Sequence, residues 1–306
     1  MAARTNQTDI CLLTENRYLR RQPADEYISN IFAEDDLLIK ALQERGIQST
    51  RISWEDDSCD WSSFRFILFR TPWNYFDRFP EFSRWLDLVS GKSAFLNSEK
   101  LIRWNLNKSY LWELSLRAIP VPPGFYFSEG SAADPEEFLL QSGWNEAVIK
   151  PAVSGTARHT WRVNPGNIRE KIPQFKKLLA SEPMIMQEFQ PSVPERGEAS
   201  LIMLDGKFSH AVLKKPAPGD FRVQDDFGGS LHAYAPDAEE IRIAEQALAA
   251  CPEKPMYARV DLVRNAAGQP LLMELELIEP ELWFRRQPAS ASLLADLLER
   301  RLKQPE

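Results

Sequence analysis

Residues 256–277 read MYARVDLVRNAAGQPLLMELEL, two strand-like runs joined by a turn near NAAG. A hairpin centred between Ala267 and Gly268 sets Asp261 opposite Glu274, since the two are equally distant from that centre. Alternation along a strand then puts Glu274 and Glu276 on one face. Three carboxylates converge in an apolar stretch, where burying them without a counter-charge is costly. An oxygen-only donor set of this kind is what Mg2+ or Mn2+ prefers. The same alternation would also fit acids facing water on the open side of an antiparallel sheet. The hairpin alone leaves both readings standing, and two lysines upstream bear on the choice.

Lys150 ends the run EAVIK and enters PAVSGTARHT, a loop of small residues. Its backbone N–H groups, with the Ser154 and Thr156 hydroxyls, could cradle phosphate. The loop is not a Walker A motif, whose G-x-x-x-x-G-K-[ST] pattern is absent. Lys108, in RWNLNKSYL, reads by itself as an ordinary lysine on a helix surface.

Farther out, the first hundred residues alternate strand-like and helix-like runs, the sign of an α/β layered domain. DICLLTE, QSTRISW and FRFILFR read as strands. YISNIFAEDDLLIKALQERG and PEFSRWLDLVSG read as helices closed by Gly46 and Gly91. The ligand crevice of such an open sheet lies beyond its strand carboxyl ends, and the loop RTPWNYF leaves from one of them. Arg70 there is a candidate clamp for a substrate carboxylate, while Trp73 and Tyr75 either line the substrate site or pack the mouth of the domain. A helix NLNKSYLWELSLRA follows, and Pro120, Pro122 and Pro123 mark a subdomain junction. Beyond it come strands EAVIKPAV, MIMQEFQ, EASLIMLDGKFSHAVLKK, MYARVDLVR and LLMELEL, with helices EEFLLQSG, IREKIPQFKKLL and DAEEIRIAEQALAAC between them. The expected division is residues 1–100 and 101–306, the latter split into 122–188 and 189–306, with only KQPE fraying.

Composition bounds the partners. The 306 residues are 43% hydrophobic and 26% charged, a soluble globular profile, and the net charge of -7 argues against nucleic acid or an anionic membrane. Small molecules or proteins remain. The start MAARTNQTDICLLTEN has no secretory pattern and no apolar run reaches spanning length, so a cytoplasmic location is expected. Cys11, Cys59 and Cys251 suggest reduced thiols, and His159, His210 and His232 share no zinc-like spacing. Oligomeric state is open, a homodimer included.

Taken in order, Lys108, Lys150, MQEF, GEAS, ARVDL and ELEL resemble the ATP-grasp superfamily of carboxylate–amine ligases. FRTPWNYF, RWNLNKSYL, GKFSHAV and ELELIEPELWF look most like its O-ureido-serine cyclo-ligase branch and glutathione-synthetase-like members. The resemblance implies mixed α/β and α+β architecture: an open-sheet domain ahead of two lobes that hold ATP between them. It implies that Lys108, Lys150 and the loop of Ser154, Gly155 and Thr156 contact ATP phosphates. Glu188 would meet the adenine amino group, the Phe189 backbone the ring, and Glu198 the ribose hydroxyls. Asp261, Glu274 and Glu276 take the metal positions, although the last is usually Asn in the superfamily. Arg259 resembles the arginine that steadies the reacting carboxylate, and Arg222, in GDFRVQDDFGGS, a lid residue reaching the terminal phosphates. The implied activity is ATP-dependent C–N bond formation from a small carboxylic or amino acid and an amine, between molecules or by ring closure. A small-molecule kinase and a non-catalytic nucleotide-binding regulator are the alternatives.

Overall fold

The computed structural model describes residues 8–22, 25–223 and 228–304, and three sheets organise them. The first contains β1 (Thr8–Thr14), β2 (Ser49–Ser53), β3 (Phe64–Thr71) and β4 (Ala94–Leu96), all parallel, in the order β2-β1-β3-β4. Helices α1 (Glu26–Gln43) and α2 (Phe79–Val89) cover its two faces. This is why the middle of β3, Phe66 to Phe69, reads as an unbroken apolar run. Phe66 and Leu68 enter a core with Leu38 and Leu42 of α1, while Ile67 and Phe69 enter another with Phe82, Trp85 and Leu86 of α2. The sheet matches the strands expected from sequence, apart from the short edge strand β4.

Of the expected helix NLNKSYLWELSLRA only α4 (Tyr110–Leu116) forms, and the first residue of that stretch, Asn105, instead ends a separate helix, α3 (Glu99–Asn105), that was not expected. The break has identifiable causes. The Asn105 amide donates to the Leu275 carbonyl at 2.8 Å and accepts from the Leu277 N–H at 2.8 Å, and the Lys108 N–H donates to the Ala152 carbonyl at 2.9 Å. These long-range bonds outcompete continuation of the helix.

The second sheet is antiparallel, in the order β5-β8-β6-β7, from β5 (Gly124–Phe127), β6 (Ala147–Pro151), β7 (Trp161–Val163) and β8 (Met184–Glu188). Helices α5 (Pro135–Ser142) and α6 (Ile168–Leu179) bury Leu139 and Phe175 against Phe127 and Ile149. After the short α7 (Ser192–Arg196) comes the third sheet: β9 (Glu198–Leu204), β10 (Lys207–Lys215), β11 (Ser230–Ala233), β12 (Tyr257–Arg264) and β13 (Pro270–Glu276), antiparallel in the order β11-β10-β9-β12-β13. Asp205 and Gly206, both at positive φ (53° and 78°), make the tight turn that divides the expected long strand into β9 and β10.

Helix α8 (Ala238–Ala249) packs one face of this sheet together with α4. On the other, α9 (Ala289–Lys303) joins Ile202, Leu204 and Tyr257 to Ile10 and Leu12 of the first sheet in a single core. Lys303, in the segment expected to fray, is the last residue of α9, and residues 305–306 lie outside the described ones. No helix among the described residues is long and apolar enough to cross a membrane.

Candidate active site

The hairpin of β12 and β13 pairs Asp261 with Glu274 and Arg259 with Glu276. A bulge follows Asp261, and Leu262 pairs with Leu272, which leaves Met273 as the extra residue. The acids keep the expected pairing, while the pairs beyond the bulge are centred half a residue earlier than Ala267 and Gly268 would require. Ligand atoms of Asp261, Glu274 and Glu276 lie within 4.8 Å of one another. All three line a cleft between the second and third sheets instead of facing open solvent. Three carboxylates at this spacing, with oxygen donors only, fit a hard divalent cation.

Each acid also has a cation. Arg259 Nε donates to Asp261 at 3.0 Å, its Nη2 reaches the other Asp261 oxygen at 2.9 Å, and the same nitrogen pairs with Glu276. Lys214 of β10 contacts Asp261 at 3.1 Å and Glu198 at 2.5 Å, and Ser200 Oγ donates to Asp261 at 2.5 Å. Burial opposes ionisation of Asp261, but Arg259 and Lys214 outweigh it and hold its carboxyl below the ordinary range. Glu276 behaves oppositely: burial, with Glu274 and Asp261 nearby, pushes it up to about 8 despite Arg259.

Lys108 is no surface lysine. From the turn between α3 and α4 its Nζ reaches Glu274 at 2.8 Å and the Ser154 carbonyl at 2.6 Å. Burial opposes ionisation of Glu274, yet Lys108 and Lys150 together lower its pKa. Lys150 makes no ion pair among the described residues, and burial lowers its pKa. It faces the cleft together with Ser154, Gly155 and Thr156. Thr156, Ala157 and His159 all have positive φ (46°, 54° and 47°), so this loop turns sharply. A Cβ on Gly155 would stand 2.5 Å from the Phe76 ring, and Arg158 bridges Asp77 at 2.8 Å and Glu182 at 2.7 Å. The N-terminal loop thus braces the glycine loop directly.

Glu188, Phe189 and Glu198 also line the cleft. The Phe189 ring lies under the Arg162 guanidinium at 3.9 Å and 6.0 Å from Phe221. The Phe189 N–H donates to the Glu146 carbonyl at 3.1 Å, across the sheet, which leaves the Phe189 carbonyl as its backbone group for a ligand. Among the described residues no acceptor meets the N–H of Gln190, the next residue and also in the cleft wall. Arg222 lines the cleft, held by Asp220 at 2.7 Å; residues 224–227 of its loop lie outside the described ones.

The N-terminal candidates separate. Trp73 lines the cleft, and its Nε1 donates to the Glu279 carbonyl at 3.1 Å. Tyr75 is buried behind the wall, close to the Glu279 carboxylate. Arg70 is absent from the wall and 3% exposed. It turns into a buried network, donating to Asp35 at 2.9 Å with Arg51 on the other Asp35 oxygen, and lies over Phe284 at 5.6 Å. The carboxylate-clamp expectation for Arg70 is therefore corrected: Asp35 of α1 takes the guanidinium away from the crevice.

Sequence reasoning passed over Lys214, Gln190 and Glu279. Lys214 could have been found as the partner of Glu198 across β9 and β10, where the two residues pair. Glu279 lies beyond the end of β13, where alternation no longer assigns a face.

A family model described as the N-terminal domain of D-cycloserine synthetase DcsG matches residues 10–97. The cycloserine biosynthesis protein DcsG of Streptomyces lavendulae is 32% identical over 284 residues, covering 87% of this chain and 93% of that protein. The crystal structure of D-cycloserine synthetase DcsG superposes with a TM-score of 0.85 at 30% identity, over 96% of this chain and 99% of that one. A RimK domain ATP-grasp protein from Sphaerobacter thermophilus shares the fold, with a TM-score of 0.66 at 17% identity over 94% and 98% of the two chains.

Proposed function

The chain belongs to the ATP-grasp ligase family, alongside the cycloserine biosynthesis protein DcsG, and on that premise we propose that it forms a C–N bond from a small carboxylic or amino acid, with cleavage of ATP to ADP and phosphate. A carboxylate resists amine attack because it is anionic and its oxygen leaves poorly. Transfer of the terminal phosphoryl group to that oxygen, with loss of ADP, gives an acyl phosphate. An amine nitrogen then attacks the carbonyl carbon, phosphate departs and the nitrogen loses a proton. The relative's role in making cycloserine favours attack within one molecule, closing a ring.

The division of labour follows from the cleft. Lys150, Lys108 and the loop of Ser154 to Thr156 would bind the phosphates, and Glu188 with the Gln190 N–H the adenine edge. Glu198 would take the ribose hydroxyls. Arg259 would orient the acid, and Arg222 would neutralise the terminal phosphate from the lid. Asp261, Glu274 and Glu276 would hold Mg2+ or Mn2+, which when bound offsets charge on the phosphoryl oxygens. Use of ATP sets the reaction in the cytoplasm.

The observation that carries this reading is the juxtaposition, in one cleft, of three carboxylates within 4.8 Å with Lys108 and with Lys150, which has no ion pair among the described residues. The test is a screen for ADP and phosphate release with amino acids and small acids, with and without added amines, followed by mass analysis. Phosphate release with an amide or ring product is expected. A stable phosphorylated product, or nucleotide binding without turnover, would overturn the reading.

A further inference from the structure

Acids are numerous in the cleft wall, and most are compensated. Glu198 and Asp261 share Lys214, Glu274 has Lys108, Glu276 has Arg259, and Glu281 has Arg285 at 2.5 Å. Glu188, read above as meeting the adenine edge, and Glu279 have no ion pair among the described residues, and Glu279 lies outside the metal-competent trio. Its carboxylate has the Tyr75 hydroxyl, a neutral group, as a neighbour, and its backbone carbonyl accepts from Trp73 Nε1 at 3.1 Å. Trp73 and Tyr27, with ring centroids 6.4 Å apart, line the same part of the cleft. An uncompensated carboxylate beside aromatic rings in a cleft wall is a receptor for a cationic group supplied by the ligand.

We propose that Glu279, beside Tyr75 and flanked by Trp73 and Tyr27, is the specificity-determining residue of the acid site and receives the ammonium group of the acid substrate. The proposal rests on the ligase reading above, in which this cleft holds an acid beside ATP. Glu279 reads the amino group, while activation occurs at the carboxyl group near Arg259. A plain carboxylic acid would leave Glu279 buried without a counter-charge, so the discrimination is against substrates lacking nitrogen. Burial pushes Glu279 up to about 7, even with Lys108 and Arg259 near enough to oppose the rise.

The test uses the full chain, its Glu279→Gln and Tyr75→Phe variants, and a panel of amino acids, each matched with its des-amino acid. Glutamine keeps the size of the side chain, so the fold should survive; Tyr75→Phe leaves the charge and removes only the neighbouring hydroxyl. In ADP release, Glu279→Gln is expected to raise KM for the amino acid about 10- to 100-fold, as loss of a charge-assisted bond does. KM for ATP should stay within about twofold, because Glu279 is a recognition residue for the acid alone. The preference for an amino acid over its des-amino partner should vanish in Glu279→Gln and weaken in Tyr75→Phe. Calorimetric binding of the same pairs, with a non-hydrolysable ATP analogue and Mg2+, reads the proposal independently of turnover. Absence of ADP release would sink the ligase reading, while binding would still judge Glu279. Equal binding of amino and des-amino acids by the wild type, no binding of either, or an unchanged preference in Glu279→Gln would overturn the proposal.

Discussion

Asp261, Glu274 and Glu276 share a face, yet their surroundings push them apart: Asp261 is tied by two cations, whereas Glu276 is pushed up to about 8 by burial and neighbouring acids. Asp261→Asn, Glu274→Gln and Glu276→Gln should each lower Mg2+-dependent ADP release on the order of tenfold to a hundredfold. The rate as a function of Mg2+ concentration checks this, and wild-type curves for all three would remove the metal assignment. Arg70 illustrates what a sequence conceals. Its place at a strand end was legible, but the direction of its side chain was set by Asp35, thirty-five positions away. Arg70→Lys should therefore cost roughly 1–3 kcal/mol of stability in chemical denaturation, with KM for the acid unchanged. Glu15, 5% exposed with Oε2 unpartnered, is pushed by burial and by Glu55 up to about 7. A carboxyl raised on folding contributes fully below its unfolded value, and that contribution is lost as pH rises through the folded one. The loss for Glu15 should run from about pH 4.5 to about 7 and reach on the order of 3 kcal/mol. Glu15→Gln should then raise the melting temperature at pH 8 and leave it nearly unchanged at pH 4.5, as thermal scans at the two pH values would show.

Among the elements, the β12–β13 hairpin was the most legible, because alternation and a turn signal are local properties of the chain. Its bulge was not, since nothing in LVRNAAGQPLLM marks Met273 as the residue that slips. The division of α3 from α4 was also hidden: the residues from Asn105 to Ala118 suit one continuous helix, and the break comes from bonds to Leu275, Leu277 and Ala152, distant in sequence. That break carries Lys108 to Glu274. The glycine loop offers a test at this scale. Gly155→Ala places a methyl group against the Phe76 ring, where a Cβ would lie 2.5 Å away, and should raise KM for ATP about tenfold by displacing the loop. Phe76→Leu in the same chain should restore part of the affinity. Nucleotide titration of the single and double variants measures this, and additive losses would show that the ring and the glycine do not communicate.

At the scale of the molecule, α9 was missed although its residues are ordinary helix formers, because its role is defined only by what it joins. Leu294 and Leu298 share a core with Ile10 and Leu12 of the first sheet and with Ile202 and Tyr257 of the third. Glu34 of α1 accepts from the N–H groups of Phe284 and Arg285 at 2.7 and 3.0 Å. Leu294→Ala should cost about 2–5 kcal/mol, and hydrogen exchange should show β1 and β9 losing protection together; loss confined to α9 would refute a shared core. The bracing of Gly155 and Arg158 by Phe76 and Asp77 has a bearing on how such chains can be recombined. The loop that brings Trp73 to the cleft also carries the two residues, Phe76 and Asp77, that fit against the glycine loop. A graft of residues 72–78 from a relative, made to change the acid accepted, would import a foreign surface against Gly155 and disturb ATP as well. Exchange of specificity between relatives therefore requires the two loops to be transplanted as a matched set, and a library randomising only the first would be depleted by failures at the second.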